Sequence, residues 1–214
     1  MKPKIVIVPT SHIAKESVKK IKEVIEEEKP DCVAVELDTN RYYALKHKRG
    51  SSFEAIKSIG FFTFVIYFIL KKIQDSLGRK TGIFPGSDML KAIEIARKNN
   101  IHVAFIDRDI TETIVKIKQI PFKEKLKLML YSILGSLNIG TNRIKIDLNK
   151  VPSRNLVKET VKEFKKEFPC LYKVLVTERN KYMVNNLKCL SQRFKKIVVV
   201  VGAGHAEDIK NLLE

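Results

Sequence analysis

The stretch "VVVVGAGHAEDI", residues 198–209, decides the fold class of this chain. Its four consecutive valines are typical of a strand that is buried on both faces of a parallel sheet. The two glycines that follow predict a tight turn into a helix over residues 205–213, with His205 where the turn ends. The stretch therefore predicts a strand at residues 196–201 that leads into a helix and presents a histidine.

A dinucleotide-binding loop is the main alternative for valines that lead into Gly-Ala-Gly. The dinucleotide fingerprint needs a third glycine at the position of Glu207, whose carboxylate would repel a pyrophosphate. We therefore interpret Gly202 and Gly204 as the turn that places His205 in a site, and not as a phosphate loop.

Three further strands are predicted, at residues 4–8, 32–36 and 101–106, because each is a short apolar run bounded by polar or turn-forming residues. Apolar residues at helical spacing predict helices over 15–28 and 87–99, the second of them capped by Ser87. Strands and helices therefore alternate, which is typical of a parallel sheet with helical crossovers.

The middle of the chain, about residues 110–195, shows helical periodicity and three prolines but no convincing strand. We therefore expect an α/β fold: a mostly parallel central sheet with helices on its faces and a large helical insertion. No repeat and no long linker divides the sequence, so we expect a single domain over residues 1–214.

The composition is that of a folded protein with a strongly basic balance. Of the 214 residues, 44% are hydrophobic and 30% are charged, and the formal net charge is +17. This charge favours an anionic partner, although a Lys-rich composition is also typical of heat-adapted proteins. The three cysteines, Cys32, Cys170 and Cys189, are odd in number and lack metal-type spacing, so we expect a reducing, intracellular setting.

The apolar segment "IGFFTFVIYFIL", residues 59–70, departs from the pattern of a simple soluble protein. It is shorter than the roughly 20 residues that a membrane-spanning helix needs. We interpret it as a buried helix or as one face of a homodimer. A position in a membrane interface is the alternative.

Ionisable side chains follow each of the four predicted strands. In chain order they are His12, Glu36, Asp38, Asp107, Arg108, Asp109 and His205. The carboxyl ends of parallel strands meet at one edge of a sheet, where ligands bind. We therefore expect these side chains to share one site.

Two histidines and a carboxylate on separate strand ends are the usual donors of an open divalent metal site. We predict that His12, Glu36 and His205 hold such an ion (Mn²⁺, Co²⁺ or Zn²⁺), with Glu36 as a ligand or as the general base. Arg41, about one helical turn further on, would orient Glu36 or hold an anionic group. A hydrogen-bonded structural role is the alternative for either histidine alone.

The tetrapeptide "TERN", residues 177–180, adds two candidates. Glu178 and Arg179 are adjacent in a predicted helix, so their side chains point about 100° apart and cannot form one bidentate pair. Either one reaches the strand ends if the helix crosses the sheet. A solvated helix face is the alternative.

These motifs resemble the TraB/PrgY family, which is related to the Tiki proteins. The resemblance rests on "PTSHIAKES", "KPDCVAVELDTNRYYAL", "IFPGSDMLKAIEIARKNNIHVAFIDRDITET", "VTERNKYM" and "VVVVGAGHAEDI", which follow the family's order across nearly the whole chain. Because the Tiki branch is described as metal-dependent proteases, the resemblance implies a metal-dependent hydrolase of the peptidase type.

The strand-end positions and the resemblance together give one candidate site. We predict catalytic roles for Glu36, Arg41, Arg108 and Glu178 and metal ligation by His12, Glu36 and His205; for Arg108 and Glu178 this is what the resemblance implies. We predict supporting roles for Ser11, Asp38, Asp107, Arg179, Gly202 and Gly204. Two positions depart from the family's pattern: Pro9 replaces the glycine of the first motif, and Asn180 replaces an aspartate.

A second function stays open, in which the same pocket captures a peptide or small ligand without cleaving it, as the PrgY branch is thought to do. Nucleic-acid binding ranks last, because the basic residues are scattered and the sequence carries no nucleic-acid-binding motif. The other partners that the sequence leaves open are an anionic membrane surface, at the cytoplasmic face, and a second copy of the chain.

Overall fold

The computed structural model describes residues 3–10, 15–47, 86–136 and 154–214. Its strands are β1 (Lys4–Thr10), β2 (Cys32–Val35), β3 (His102–Phe105) and β4 (Lys196–Gly202). They form one sheet in the order β1-β4-β2-β3, and every neighbouring pair is parallel. The α/β fold with a parallel central sheet is therefore confirmed. The apolar segment at 59–70 lies outside the described residues.

Helices connect the strands and cover the sheet. In chain order they are α1 (Lys15–Glu28), α2 (Thr39–Lys46), α3 (Ser87–Lys98), α4 (Ile110–Lys118), α5 (Phe122–Ser136), α6 (Arg154–Glu167), α7 (Pro169–Tyr172), α8 (Glu178–Leu190) and α9 (Ala203–Leu213). A π-helical turn, Lys173–Thr177, joins α7 directly to α8. None of the helices in the described ranges is long and apolar enough to cross a membrane.

The valines of β4 are buried because this strand lies inside the sheet with helices on both faces. Successive side chains of a strand point to opposite faces. Val198 and Val200 pack with residues of α1 and α3, whereas Val199 and Val201 pack with residues of α8 and α9. Full burial of one such side chain contributes roughly 1.5–3 kcal/mol. The continuous valine run therefore reflects two apolar faces on one strand.

Two boundaries, the end of β1 and the start of α9, differ from the sequence prediction by two residues, and the cap of α3 is a different residue. Strand β1 continues through Pro9, which is tolerated because β1 is an edge strand. Helix α3 is capped by Gly86, whose φ is 90°, so Ser87 is the first helical residue and not the cap. Helix α9 begins at Ala203, two residues earlier than predicted, which places Gly204 in its first turn. The chain enters α9 through Gly202 with φ −60°, an angle open to any residue.

All three cysteines are free thiols, as their odd number and spacing indicate. Cys32 lies in β2 and is fully buried, and this burial raises the pKa of its thiol to about 12. Cys189 is exposed on α8. The sheet therefore carries a thiol that is shielded from solvent, and the helix above it carries one that is not.

Candidate functional site

Glu36 is a candidate site residue whose position is fixed by the sheet. It directly follows β2, and β2 pairs with β4 in the middle of the sheet. The backbone N–H of Gly202, at the end of β4, donates to Glu36 Oε2 at 2.7 Å. The side chain of Glu36 is only 5% exposed. Strand pairing therefore holds one oxygen of this carboxylate and directs the other towards the carboxyl ends of the strands.

Arg179 is the centre of the site. Its Nη2 donates to Glu36 Oε1 at 2.7 Å and to Asp107 Oδ2 at 2.7 Å, and its Nε donates to Asp107 Oδ1 at 3.0 Å. Burial would lower the pKa of the Arg179 guanidinium, but the two carboxylates outweigh that effect and raise its pKa above the ordinary value. The guanidinium therefore joins the ends of β2 and β3 as a permanent cation.

His205 lies beside both of these groups. Its Nε2 is 3.4 Å from Glu36 Oε1 and 3.4 Å from Arg179 Nη1. Its Nδ1 is 2.6 Å from Asn180 Oδ1, while the amide nitrogen of Asn180 donates to Asp208 Oδ2 at 3.1 Å. Because Asp208 orients the amide, Asn180 presents its oxygen to Nδ1, and the ring proton belongs there. Glu36, Asp107, Arg179, Asn180 and His205 are called the strand-end cluster below.

Arg41 lies at the edge of the strand-end cluster. Its Nη1 is 3.5 Å from Asp107 Oδ2, and its side chain is 36% exposed. Asp38 caps α2 by accepting from the backbone N–H of Arg41 at 2.9 Å. Desolvation by burial is the main reason why the pKa of Asp38 is raised, and the nearby Asp109 and Asp107 add to it. Among the described residues, Asp38 Oδ2 is a buried atom without a hydrogen-bond partner.

Arg108 and Glu178, two of the predicted catalytic residues, pair with each other. Arg108 Nη1 donates to Glu178 Oε2 at 3.2 Å, and Lys116 Nζ donates to the same oxygen at 2.7 Å. Glu112 lies 3.7 Å from both cations. The hydrogen bond from Lys116 is the main reason why the pKa of Glu178 is lowered, and Arg108 adds to it. Arg108, Glu112, Lys116 and Glu178 are called the helix-side cluster below.

The structure brings two of the three predicted metal ligands together, Glu36 and His205. The third, His12, lies outside the described residues, as does Ser11. Within the described ranges, no group of three or more His, Cys, Asp or Glu side chains is arranged to hold a metal ion. Two ligands of a tetrahedral ion with bonds of about 2.1 Å lie roughly 3.4 Å apart. The 3.4 Å between Glu36 Oε1 and His205 Nε2 fits this spacing.

Sequence reasoning did not identify the residues that orient His205. In the sequence, Asn180 stands out only as a departure from the family's pattern, yet it is 1% exposed and contacts both His205 and Asp208. Tyr172 also donates to Asp208 Oδ2, at 3.3 Å. One signal was present in the sequence: Asp208 follows His205 by three positions in a helix, a spacing that puts both side chains on one face.

The profile of the TraB/PrgY/gumN family matches residues 2–214 of this chain. The chain is 35% identical over 217 residues to an uncharacterized protein of Methanocaldococcus jannaschii, an alignment that covers 98% of the chain and 53% of that protein. It is 24% identical over 238 residues to the TraB domain-containing proteins of Mus musculus and Homo sapiens, which covers 97% of the chain and 62% of each relative. The chain thus spans little more than half the length of these relatives.

Proposed function

The chain belongs to the TraB/PrgY/gumN family, and on that premise we propose that it is a metal-dependent hydrolase of the peptidase type whose site is the strand-end cluster. The observation that supports this best is the position of Glu36 and His205, whose Oε1 and Nε2 atoms lie 3.4 Å apart. Glu36 and His205 would hold the ion together with His12, the third ligand predicted from the sequence.

A divalent ion held by Glu36 and His205 (Mn²⁺, Co²⁺ or Zn²⁺) would supply a Lewis acid that polarises a carbonyl and lowers the pKa of a water molecule to about 7. Metal-binding histidines usually donate their second ring N–H to an oxygen that fixes the ring. Asn180 Oδ1 provides that acceptor for Nδ1 of His205, at 2.6 Å. Gly202 holds Oε2 of Glu36, so Oε1 is the oxygen that serves as a ligand or as a base.

The two arginines have different tasks in this proposal. Arg179 compensates the negative charges of the buried carboxylates of Glu36 and Asp107, with which it forms ion pairs at 2.7 Å. Arg41 is more exposed, at the edge of the cluster, and is suited to bind an anionic group of the substrate, such as a peptide carboxylate. A peptide or a small peptide-like molecule is therefore the proposed substrate class.

A second candidate is capture of a peptide or small ligand without cleavage. The observation that favours it is the contact of Arg179 with the two atoms that would bind the ion, at 2.7 Å to Glu36 Oε1 and 3.4 Å to His205 Nε2. The guanidinium thus already supplies a positive charge beside these atoms. A pocket compensated in this way could bind a ligand without a metal ion and without hydrolysis.

The test is a titration of chelator-treated protein with Mn²⁺, Co²⁺ and Zn²⁺, read by elemental analysis, and then a peptide-cleavage assay on the loaded protein. We expect one equivalent of metal in the wild type and loss of that equivalent in His205→Ala and in Glu36→Gln. The control is His102→Ala. His102 is the first residue of β3, at the end of the strand away from the strand-end cluster, and its ring stacks on Phe194. This variant should retain the ion.

Two results would overturn the hydrolase proposal. Equal metal uptake in His205→Ala and in His102→Ala would show that the proposed ligand set is wrong. Peptide binding without metal uptake or cleavage in the wild type would favour the capture function instead.

A further inference from the structure

The π-helical turn Lys173–Thr177, called the π turn below, joins α7 to α8, and these two helices have different packing partners. Before the turn, Leu171 packs into a cluster with Ile117, Ile120 and Phe168. After it, Met183 and Leu187, among others, pack against the sheet. The turn is marked by the N–H of Glu178, which donates to the carbonyl of Lys173, five residues earlier. One segment is therefore docked on the helical insertion and the other on the sheet.

The π turn also decides where Arg179 points. Each residue of an α-helix advances the side-chain direction by about 100°, and a π turn holds one residue more than an α turn. Without the extra residue, Arg179 would be rotated by about this angle relative to the segment around Leu171. It could then not reach Glu36 and Asp107 while Leu171 stayed in its cluster.

Two arginines bind carbonyls of the π turn. Arg108 Nη2 donates to the carbonyl of Val174 at 3.0 Å, and Arg179 Nη1 donates to the carbonyl of Leu175 at 3.2 Å. Two consecutive residues after β3 bind two consecutive residues after the π turn. Asp107 binds Arg179, and Arg108 binds Glu178. The end of β3 is thus tied to the end of the π turn by two adjacent ion pairs.

We infer that the π turn Lys173–Thr177 is the device that positions Arg179 in the strand-end cluster, and that Arg108 is its positioning residue. The side chain of Arg108 is 2% exposed and donates hydrogen bonds to three acceptors: Thr113 Oγ1 at 3.2 Å, the carbonyl of Val174 and Glu178. Arg108 thus acts on the site through Arg179. The inference concerns the position of a side chain and does not depend on which reaction the site carries out.

The test is side-chain NMR on protein labelled with ¹⁵N-arginine. The Nε–H of Arg179 is bound to Asp107, so its signal should exchange slowly with water, and its absence from Arg179→Met assigns it. Arg108→Met removes the hydrogen bond to the carbonyl of Val174 in the π turn and the ion pair with Glu178. Deletion of Lys173, an exposed residue of the turn, converts the turn to α-helical spacing. Loss of a charge-assisted hydrogen bond corresponds to about tenfold or more, so exchange should accelerate by at least about that factor in both variants.

Lys116→Met is the matched control, because it removes the other cation on Glu178 without touching the π turn. It should leave the Arg179 signal unchanged. Circular dichroism establishes which variants are folded, and the Lys173 deletion decides the question if Arg108→Met is unfolded. If Arg108→Met and the Lys173 deletion are both unfolded, Thr113→Val is the variant to use. It removes one hydrogen-bond acceptor of Arg108 but leaves the charge of Arg108 in place, and it should also accelerate exchange. Folded variants with unchanged exchange at Arg179 Nε–H would overturn the inference.

Discussion

The strand-end cluster and the helix-side cluster both pair carboxylates with cations, but they differ in which group is more deeply buried. In the strand-end cluster the carboxylates of Glu36 and Asp107 are 5% and 2% exposed, and Arg179 above them is 14% exposed. In the helix-side cluster the guanidinium of Arg108 is the deep group, since Arg108 is 2% exposed, whereas Glu178 is 26% and Lys116 is 35% exposed. One cluster therefore buries its carboxylates and the other buries its arginine.

This difference indicates what each cluster is suited to do. Buried carboxylates that face the strand ends are suited to hold a cation, whether a guanidinium or a metal ion. A buried guanidinium with backbone and hydroxyl acceptors is suited to hold the chain in place, as Arg108 does at Val174 and Thr113. We therefore propose a functional role for the strand-end cluster and a positioning role for the helix-side cluster.

The largest effect is expected from Arg179→Met, which leaves Glu36 and Asp107 buried without their shared cation. Breaking a buried ion pair in this way costs about 3–5 kcal/mol. Urea unfolding at neutral pH measures the loss in the free energy of unfolding. The control is Arg193→Met at an exposed position, which should change that free energy by less than about 0.5 kcal/mol. The comparison fails if Arg179→Met costs no more than this control.

A smaller effect is expected from Asn180→Ala, which removes the acceptor of His205 Nδ1. Loss of such an orienting partner typically weakens metal affinity by about 10–100-fold. Isothermal titration with Mn²⁺ measures the change. Asn186→Ala is the matched control, because Asn186 lies on the same helix and donates to the carbonyl of Ile106, outside the cluster. Equal affinities in the two variants would exclude an orienting role for Asn180.

The smallest effect is expected from Glu178→Gln in the helix-side cluster. Glu178 is partly exposed, and Arg108 keeps its other acceptors, so the loss should stay below about 1 kcal/mol. Because Lys116 and Arg108 lower the pKa of Glu178, its contribution is fully present above the ordinary glutamate pKa of about 4.3 and is lost as the pH falls through the lowered folded value. Unfolding of both proteins across this range should show the difference vanish in acid. A difference that grew in acid would contradict the assigned pairing.

The sequence alone was sufficient to predict the parallel sheet and the proximity of Glu36, Asp107 and His205 at the carboxyl ends of its strands. The valine run of β4 and the polar residues after each strand depend on local pattern, and the strand-end rule then brings Glu36, Asp107 and His205 to one edge. These features could be predicted because parallel pairing needs little more than the order of strands and helices.

Which of the two side chains, Glu178 or Arg179, reaches the strand ends could not be predicted in the same way. It depends on the π turn at Lys173–Thr177, and one additional residue in a helical turn leaves no mark in an apolar periodicity already interrupted by Pro169. The cap of α3 shows a similar limit: Ser87 is a good capping residue, but the chain uses Gly86 with a positive φ instead. Both outcomes are set by tertiary packing.

We propose that Glu36 and His205 hold one divalent ion, and the visible absorption spectrum of Co²⁺-loaded protein is the sharpest test of this proposal. The bands report the atoms bonded to the ion. We predict that Glu36→Gln and His205→Ala each shift or abolish the bands, whereas Glu178→Gln in the helix-side cluster leaves them unchanged. A spectrum that is the same in the wild type and in both strand-end variants would contradict the claim.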